Sequence, residues 1–221
     1  MSLSSKTKSR ATTSDNISPD VPVLKLDTRS KILKAAIMVF ADIGYDAASL
    51  RQITALAGVN HGSIKYHYNG KEELWQACVI YLYAQLETTL VIPDVSQAKM
   101  SLRDSIERSM RLYIRFLAKH PELFKITMYE TMKDSPRLEW LTKNITIPYT
   151  KQSLKLIRKA KKAGVYPDKI PTMNLFYLLV GASRYTYFIA PEASKVFGKD
   201  LTSDKEIKRH EDAVIQLFLG K

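Results

Sequence analysis

The chain has 221 residues, 45% of them hydrophobic, with one cysteine and a formal net charge of +12. That length and apolar share suffice for one large or two modest domains with a real core. The lone Cys78 excludes an intramolecular disulfide and speaks against a cysteine-based metal site, and no apolar run approaches the ~18 residues that cross a bilayer, so a cytoplasmic protein without cofactor is expected.

Residues 1–26 are rich in Ser, Thr and Lys, carry Pro19 and Pro22, and have no apolar stretch like that of a secretory signal. They are expected to form a disordered arm, with Lys6, Lys8 and Arg10 solvated more readily than bound to phosphates. From Asp27 the pattern changes. Ile32, Ala36, Val39, Phe40 and Ile43 recur at helical spacing, with Asp27 or Thr28 as cap and Gly44 as terminator.

Ser49 followed three residues later by Gln52 is a capping box and places a helix start at Leu50, with Leu50, Ile53, Leu56 and Ala57 on one face. Gly58 can take the left-handed conformation that ends such a helix, and Asn60 can cap the next. So short a connection forces a steep crossing of the two helices. In the second, Val59 and Ile64 are the apolar contacts, while Asn60, His61, Ser63, Lys65, Tyr66 and His67 crowd one short stretch with groups that hydrogen-bond or stack. Gly62 would let that helix approach a phosphate or a base edge closely. An ordinary core hairpin gives no reason for such crowding, and the pattern predicts a helix-turn-helix that reads nucleic acid.

Downstream of Asn69-Gly70, Glu72 and Glu73 sit in the first turn of a long helix whose apolar face, Leu74, Ala77, Cys78, Tyr81, Leu82 and Leu86, runs to Pro93. Further helices are predicted over Ser101 to His120, Pro121 to about Lys133, Ser135 to Ala163 with a bend near Pro148, Met173 to Ala190, and Lys205 to Leu219. The expected fold class is all-α, about nine helices in total, with no internal repeat. The divisions are an arm over 1–26, a helix-turn-helix domain over 27–73 and a helical domain over 74–221.

The charge needs care. A polyanionic partner suits +12, but residues 27–75 hold six basic and five acidic side chains, so most of the excess lies elsewhere. The run Lys151, Lys155, Arg158, Lys159, Lys161 and Lys162 ends a helix, where cations offset the dipole and stay solvated.

With these residues in view, the stretch from Thr28 to Leu74 resembles the head of the tetracycline-repressor (TetR) family of bacterial regulators. Arg29, Ile32, Ala35-Ala36, Phe40, Gly44-Tyr45, Ser49, Ile53, Ala57-Gly58-Val59, Tyr66, His67, Tyr68, Lys71, Glu72 and Leu74 carry the resemblance. The remainder matches loosely, through helix order and the segment His120-Pro121-Glu122-Leu123. Lys65 departs from the pattern, standing where a tyrosine is common, so that an ammonium replaces a phenol.

The resemblance implies a repressor that binds a palindromic operator on double-stranded DNA as a homodimer and is released by a small-molecule effector. It implies Thr28, Ser49 and Lys71 at helix starts near phosphates, Asn60, His61, Ser63 and Lys65 in the major groove, Tyr66 and His67 on backbone or thymine methyls, and Arg51 and Gly62 also at the DNA. The dimer interface would use the last two long helices, about 172–190 and 204–219, through Leu175, Leu178, Leu179, Ala182 and Phe188 with Val214, Leu217 and Phe218. Met110, Tyr113, Phe116, Met128, Met132 and Trp140 are candidate effector lining, together with Tyr149, Tyr177, Arg184, Tyr185 and Tyr187. Arg184 would either neutralise an anionic ligand or pair with an acid of the chain itself. An enzyme is disfavoured by the scattered His61, His67, His120 and His210. A non-specific nucleoid-type DNA binder is disfavoured by the near-neutral head.

Overall fold

The computed structural model describes residues 27–90 and 100–220, and all regular structure among them is helical. The arm over 1–26, with Lys6, Lys8 and Arg10, and the helix end expected at Pro93 lie outside the described residues.

Helix α1 (Thr28–Ala47) starts where the Asp27 carboxylate accepts the Ser30 amide at 2.7 Å. Gly44, at φ +73°, interrupts it, and the last turn leaves in a new direction. Helix α2 (Leu50–Ala57) carries the full capping box: the Gln52 amide donates to Ser49 Oγ at 3.2 Å and the Ser49 amide to Gln52 Oε1 at 2.8 Å. Gly58 ends α2 in the left-handed region, and α3 (Gly62–Tyr68) follows. Asn69, also left-handed, turns the chain into α4 (Lys71–Leu90), whose first turn holds Glu72 and Glu73.

Phe40, Ile32, Ile53, Ile64, Leu74 and Trp75 are buried together at the centre of these four helices. One face of α2 differs from expectation. Leu56 is 53% exposed, and Thr54 takes the inward place with its hydroxyl donating to the Arg51 carbonyl at 3.1 Å. At ~100° per residue a two-turn helix buries a narrow stripe, here centred between Ile53 and Thr54, and position 56 falls off its far edge.

The body consists of α5 (Leu102–Lys119), α6 (Pro121–Thr131), α7 (Pro136–Leu141), α8 (Ile147–Lys162), α9 (Thr172–Phe188), α10 (Ala190–Phe197) and α11 (Asp204–Leu219). A π turn over Thr142–Thr146 joins α7 to α8, the Ile147 amide reaching back to the Thr142 carbonyl. It lies just before Pro148, which withdraws a donor from the helical ladder, so the bend expected there is a local change of hydrogen-bond register. Counting α7 to α8 as one rod, the nine anticipated helices are present, and α10 is an addition marked by Pro191 in its first turn and left-handed Gly198 at its end. Helix α11 is tied to α5 by Arg111 to Asp212 at 2.7 Å and Arg115 to Glu211 at 3.0 Å.

The hydrophobic core runs without a break from α1 through α4 into α6. A polar clamp reinforces that junction. The Tyr129 hydroxyl donates to the Asp42 carbonyl at 2.9 Å, and Arg137 lies 3.7 Å over the Tyr45 ring while binding Glu130 and Asp46, each at 3.1 Å. Lys133 also pairs with Asp46. Glu130 is only 2% exposed and accepts a further bond from Ser135 Oγ at 2.8 Å.

Removing one member of a buried ion pair leaves the other uncompensated, so Arg137→Met is expected to cost about 3–5 kcal/mol in urea unfolding, whereas the more exposed Lys133→Ala should cost no more than ~1 kcal/mol. The Lys133 hydrogen bond, with Arg137 beside it, lowers the pKa of Asp46. The stabilisation from Asp46 should therefore be complete above the ordinary aspartate range near ~3.9 and fade as pH falls through the depressed value. The gap in melting temperature between wild type and Asp46→Asn should be constant at neutral pH and close under acid.

Candidate nucleic-acid interface

The turn before α3 is fixed from both sides. The Val59 amide reaches back to the Thr54 carbonyl at 3.1 Å, and Asn60 Oδ1 accepts from the Ser63 amide at 3.1 Å and the Ser63 hydroxyl at 2.9 Å. Ile64 and Tyr68 turn inward, the Tyr68 hydroxyl donating to the Arg29 carbonyl at 2.8 Å. That rotation leaves His61, Gly62, Lys65 and Tyr66 on the open side, with Ser63 and His67 half-buried.

Three features of this face have no use in folding. Tyr66 is 86% exposed, supported only by an edge-on His67 ring 4.9 Å away. A side chain at Gly62 would meet nothing nearer than Asn60 Oδ1 at 3.6 Å, so internal packing does not require glycine there. The segment from His61 to Tyr68 contains no carboxylate. Four of the five acids of the head are engaged elsewhere: Asp27 caps α1, Asp46 joins the clamp, Glu72 accepts from Tyr45 at 3.2 Å and Glu73 from Asn69 at 3.0 Å. A nearly neutral head thus presents a locally acid-free face, which suits phosphate and base-edge acceptors.

The remaining expected contacts are placed unequally. Thr28, Ser49 and Arg51 are exposed near the starts of α1 and α2. Asn60 and Ser63 bond to each other, leaving the Asn60 amide group as the donor of that pair able to reach outward. Lys71 folds back, its ammonium 4.4 Å over the Tyr45 ring and 3.4 Å from the Asp46 carbonyl, and partial burial lowers its pKa. It must rotate to reach a phosphate.

A second candidate site lies inside the body. A cavity of about 150 Å³ sits among Ile106, Met110, Leu156, Ile157, Tyr166 and Phe176. A neighbouring cavity of about 110 Å³ is lined by Tyr83, Phe124, Thr127, Tyr177 and Arg184. Tyr113, Tyr149, Phe176 and Val180 border both, so the two adjoin across a shared wall, a bent chamber in two parts.

Of the lining residues expected from the sequence, Met110, Tyr113, Tyr149, Tyr177 and Arg184 are brought together there. Phe116, Met128, Met132, Trp140, Tyr185 and Tyr187 are not. Phe116 stacks on His120, Trp140 packs edge-on against Trp75, and Tyr187 against His210. Met132 and Tyr185 face outward, at 67% and 59% exposure. Tyr83, Phe124, Tyr166 and Phe176 went unrecognised because their convergence from different helices is tertiary. Only their aromatic type at helical spacing hinted at it.

Comparison with known proteins gives a consistent picture. Residues 32–78 match the family described as bacterial regulatory proteins, tetR family. Residues 103–217, more than half of the chain, match the tetracyclin repressor-like C-terminal domain. Among curated relatives, the transcriptional repressor NicS of Pseudomonas putida is 32% identical over 108 residues, covering 48% of this chain and 49% of NicS. The transcriptional regulator YttP of Bacillus subtilis is 28% identical over 115 residues, covering 51% of this chain and 54% of YttP. The chain thus spans about half the length of these two relatives. A solved structure of a fatty acid metabolism regulator from Clostridium perfringens superposes with a TM-score of 0.70 at 19% identity, over 86% of this chain and 98% of that one, a likeness of fold. Among the described residues no helix is long and apolar enough to cross a membrane.

Asn60→Ala removes the bonds that start α3 and should cost about 0.5–2 kcal/mol in thermal unfolding. Gly62→Ala meets open space within a helix and should leave stability unchanged or raise it by up to ~1 kcal/mol.

Proposed function

The chain belongs to the TetR family of bacterial regulatory proteins, and on that premise we propose that it is a sequence-specific DNA-binding repressor that works in the cytoplasm as a homodimer on a palindromic operator and is released by a small-molecule effector bound in the bent chamber. The acid-free face of α3, presenting His61, Gly62, Lys65 and Tyr66, is the observation that carries this reading. Repression is taken from relatives such as NicS, a repressor by name.

One short helix in one major groove reads too few base pairs to be selective, so two heads are required, about one helical turn apart. The apolar surface needed to hold two copies together is available. Met173, Tyr177, Leu178 and Tyr185 form an exposed stripe along α9, and Leu217 is exposed on α11. Among the residues first expected at the interface, Leu175 and Val214 are buried within the protomer. The interface is therefore assigned to the outer stripe, with Tyr185 there rather than at the ligand. Val196 and Phe197 on α10, both exposed, extend it.

The effector would bias the separation of the heads through α4, which carries α3 at one end and Tyr83 of the chamber further along. Couplings of ~1–3 kcal/mol are typical of such devices and require the ligand to discriminate between the two separations.

Two sets of variants test the reading. Light scattering at micromolar concentration should give twice the 25.2 kDa mass of one chain, and Leu178→Lys combined with Leu217→Lys should give monomers that no longer hold a selected DNA site. A wild-type monomer would refute the dimer. On selected DNA, His61→Ala should lose ~1–3 kcal/mol of discrimination at one base pair, and Lys65→Ala should weaken all sequences alike and flatten the salt dependence by about one ion. Gly62→Ala should bind DNA more weakly despite its intact fold. Salt-dependent binding to random DNA with no preferred sequence would instead support the nucleoid-type alternative.

A further inference from the structure

The chamber has a strong imbalance of hydrogen-bonding groups. Arg184 projects from the middle of α9 with its guanidinium 4.4 Å over the Phe124 ring, and among the described residues no carboxylate comes within ion-pair distance of it. The pairing with an acid of the chain that the sequence left open is absent there. Beside it the Tyr83 and Tyr149 rings meet edge to face at 5.8 Å, with Tyr113 bordering both. None of these three hydroxyls bonds to another described residue. Burial pushes the Tyr113 phenol up to about 12 and raises Tyr83 and Tyr149 as well, so all three remain O–H donors.

No carboxylate lines this cavity. Its other side-chain hydroxyls belong to Thr127, Thr146 and Thr150, and that of Thr127 donates to the carbonyls of Leu123 and Phe124, each at 3.0 Å. Glu87, the acid whose charge raises Tyr149, lines the neighbouring outer grooves and not the cavity that holds Arg184. None of these donors is sealed from solvent, so an anion entering the cavity would find a guanidinium and three phenol hydroxyls free to bind it. The other arm of the chamber, around Ile106, Met110, Ile157 and Phe176, offers apolar walls.

We propose that the effector is a small organic monocarboxylate, its apolar body among Met110, Ile157 and Phe176 and its carboxylate held by Arg184 with hydroxyl bonds from Tyr83, Tyr113 and Tyr149. The inference rests on the reading of the chamber as the effector site and specifies its chemistry. One guanidinium, with no second cation among the residues that line its cavity, favours a single negative charge over a phosphate dianion. Cavities of about 110 and 150 Å³ are small against the ~300–1,000 Å³ usual for drug-sized ligands and suit a small acid. Such a ligand would touch Tyr83 of α4 and Arg184 of α9 at once, and Phe124 beside it belongs to α6, the helix that clamps the head.

The test is calorimetric titration of the full chain with octanoate and 4-phenylbutyrate and with the matching neutral alcohols, octanol and 4-phenylbutanol. At least one acid should bind about tenfold or more tightly than its alcohol. Arg184→Met should erase that advantage, Arg184→Lys should keep part of it, and Tyr113→Phe should weaken the acid severalfold while leaving the alcohol alone. Circular dichroism of each variant confirms folding. Equal binding of acid and alcohol, no acid binding at millimolar concentration, or an acid preference that survives in Arg184→Met would overturn the proposal. Release from selected DNA, measured in parallel, separates the two readings. An acid that binds through Arg184 without releasing DNA supports the pocket chemistry and contradicts effector release, whereas DNA binding with no acid binding does the reverse.

Discussion

At Gly44 the backbone takes a conformation closed to most side chains, and a Cβ there would stand 3.0 Å from the Tyr129 ring. One of the two routes between α3 and the body, the contact of α1 with α6, runs past this point, and the other is α4 itself. Because α1 breaks at this point, its last turn presents Tyr45 and Asp46 to α6 and α7. Arg137 can then span the Tyr45 ring, Asp46 and the buried Glu130. A side chain at position 44 would be strained by φ and would press on Tyr129, pushing the head off the body. The head is thus oriented by geometry, and any ligand that shifts α6 or α4 must act on α3 through a junction with little slack.

Charge plays a narrower part than the composition suggests. The +12 excess suits DNA, yet the head is close to neutral, and four of its five carboxylates are held by partners away from α3's open side. What α3 offers is an arrangement: an acid-free face, one lysine, one fully solvated tyrosine and a glycine with open space around it. A face of this kind binds weakly as a single copy, which is why the exposed apolar stripe on α9 matters as much as α3 itself. In the proposed dimer the two surfaces divide the work, one reading DNA and the other setting how far apart two readers stand.

Local signals in the sequence translated directly into structure. Ser49 with Gln52, left-handed Gly58, Asn60 as a cap and Pro at the first turns of α6 and α7 act over three or four residues, so their consequences can be read without knowing the fold. Signals that depend on neighbours failed. Leu56 is apolar yet exposed, because the packing of a two-turn helix is decided by its partners. Trp140 and Phe116 are aromatic yet serve the core. Tyr83, Phe124 and Phe176 come from three helices far apart in sequence and meet only when those helices pack. Arg184 stood out as a cation in an apolar helix, but whether it met an acid of its own chain was a question only three dimensions could answer.

The central claim is that two copies of α3, held at a fixed distance by the body, read one symmetric DNA site. Hydroxyl-radical footprinting on DNA selected from a random pool tests it most directly. The account predicts two protected segments of matching sequence, related by a dyad and centred about one helical turn, ~34 Å, apart, each losing protection together when Lys65 is replaced by alanine. A single protected segment, or protection that follows no sequence at all, would contradict it.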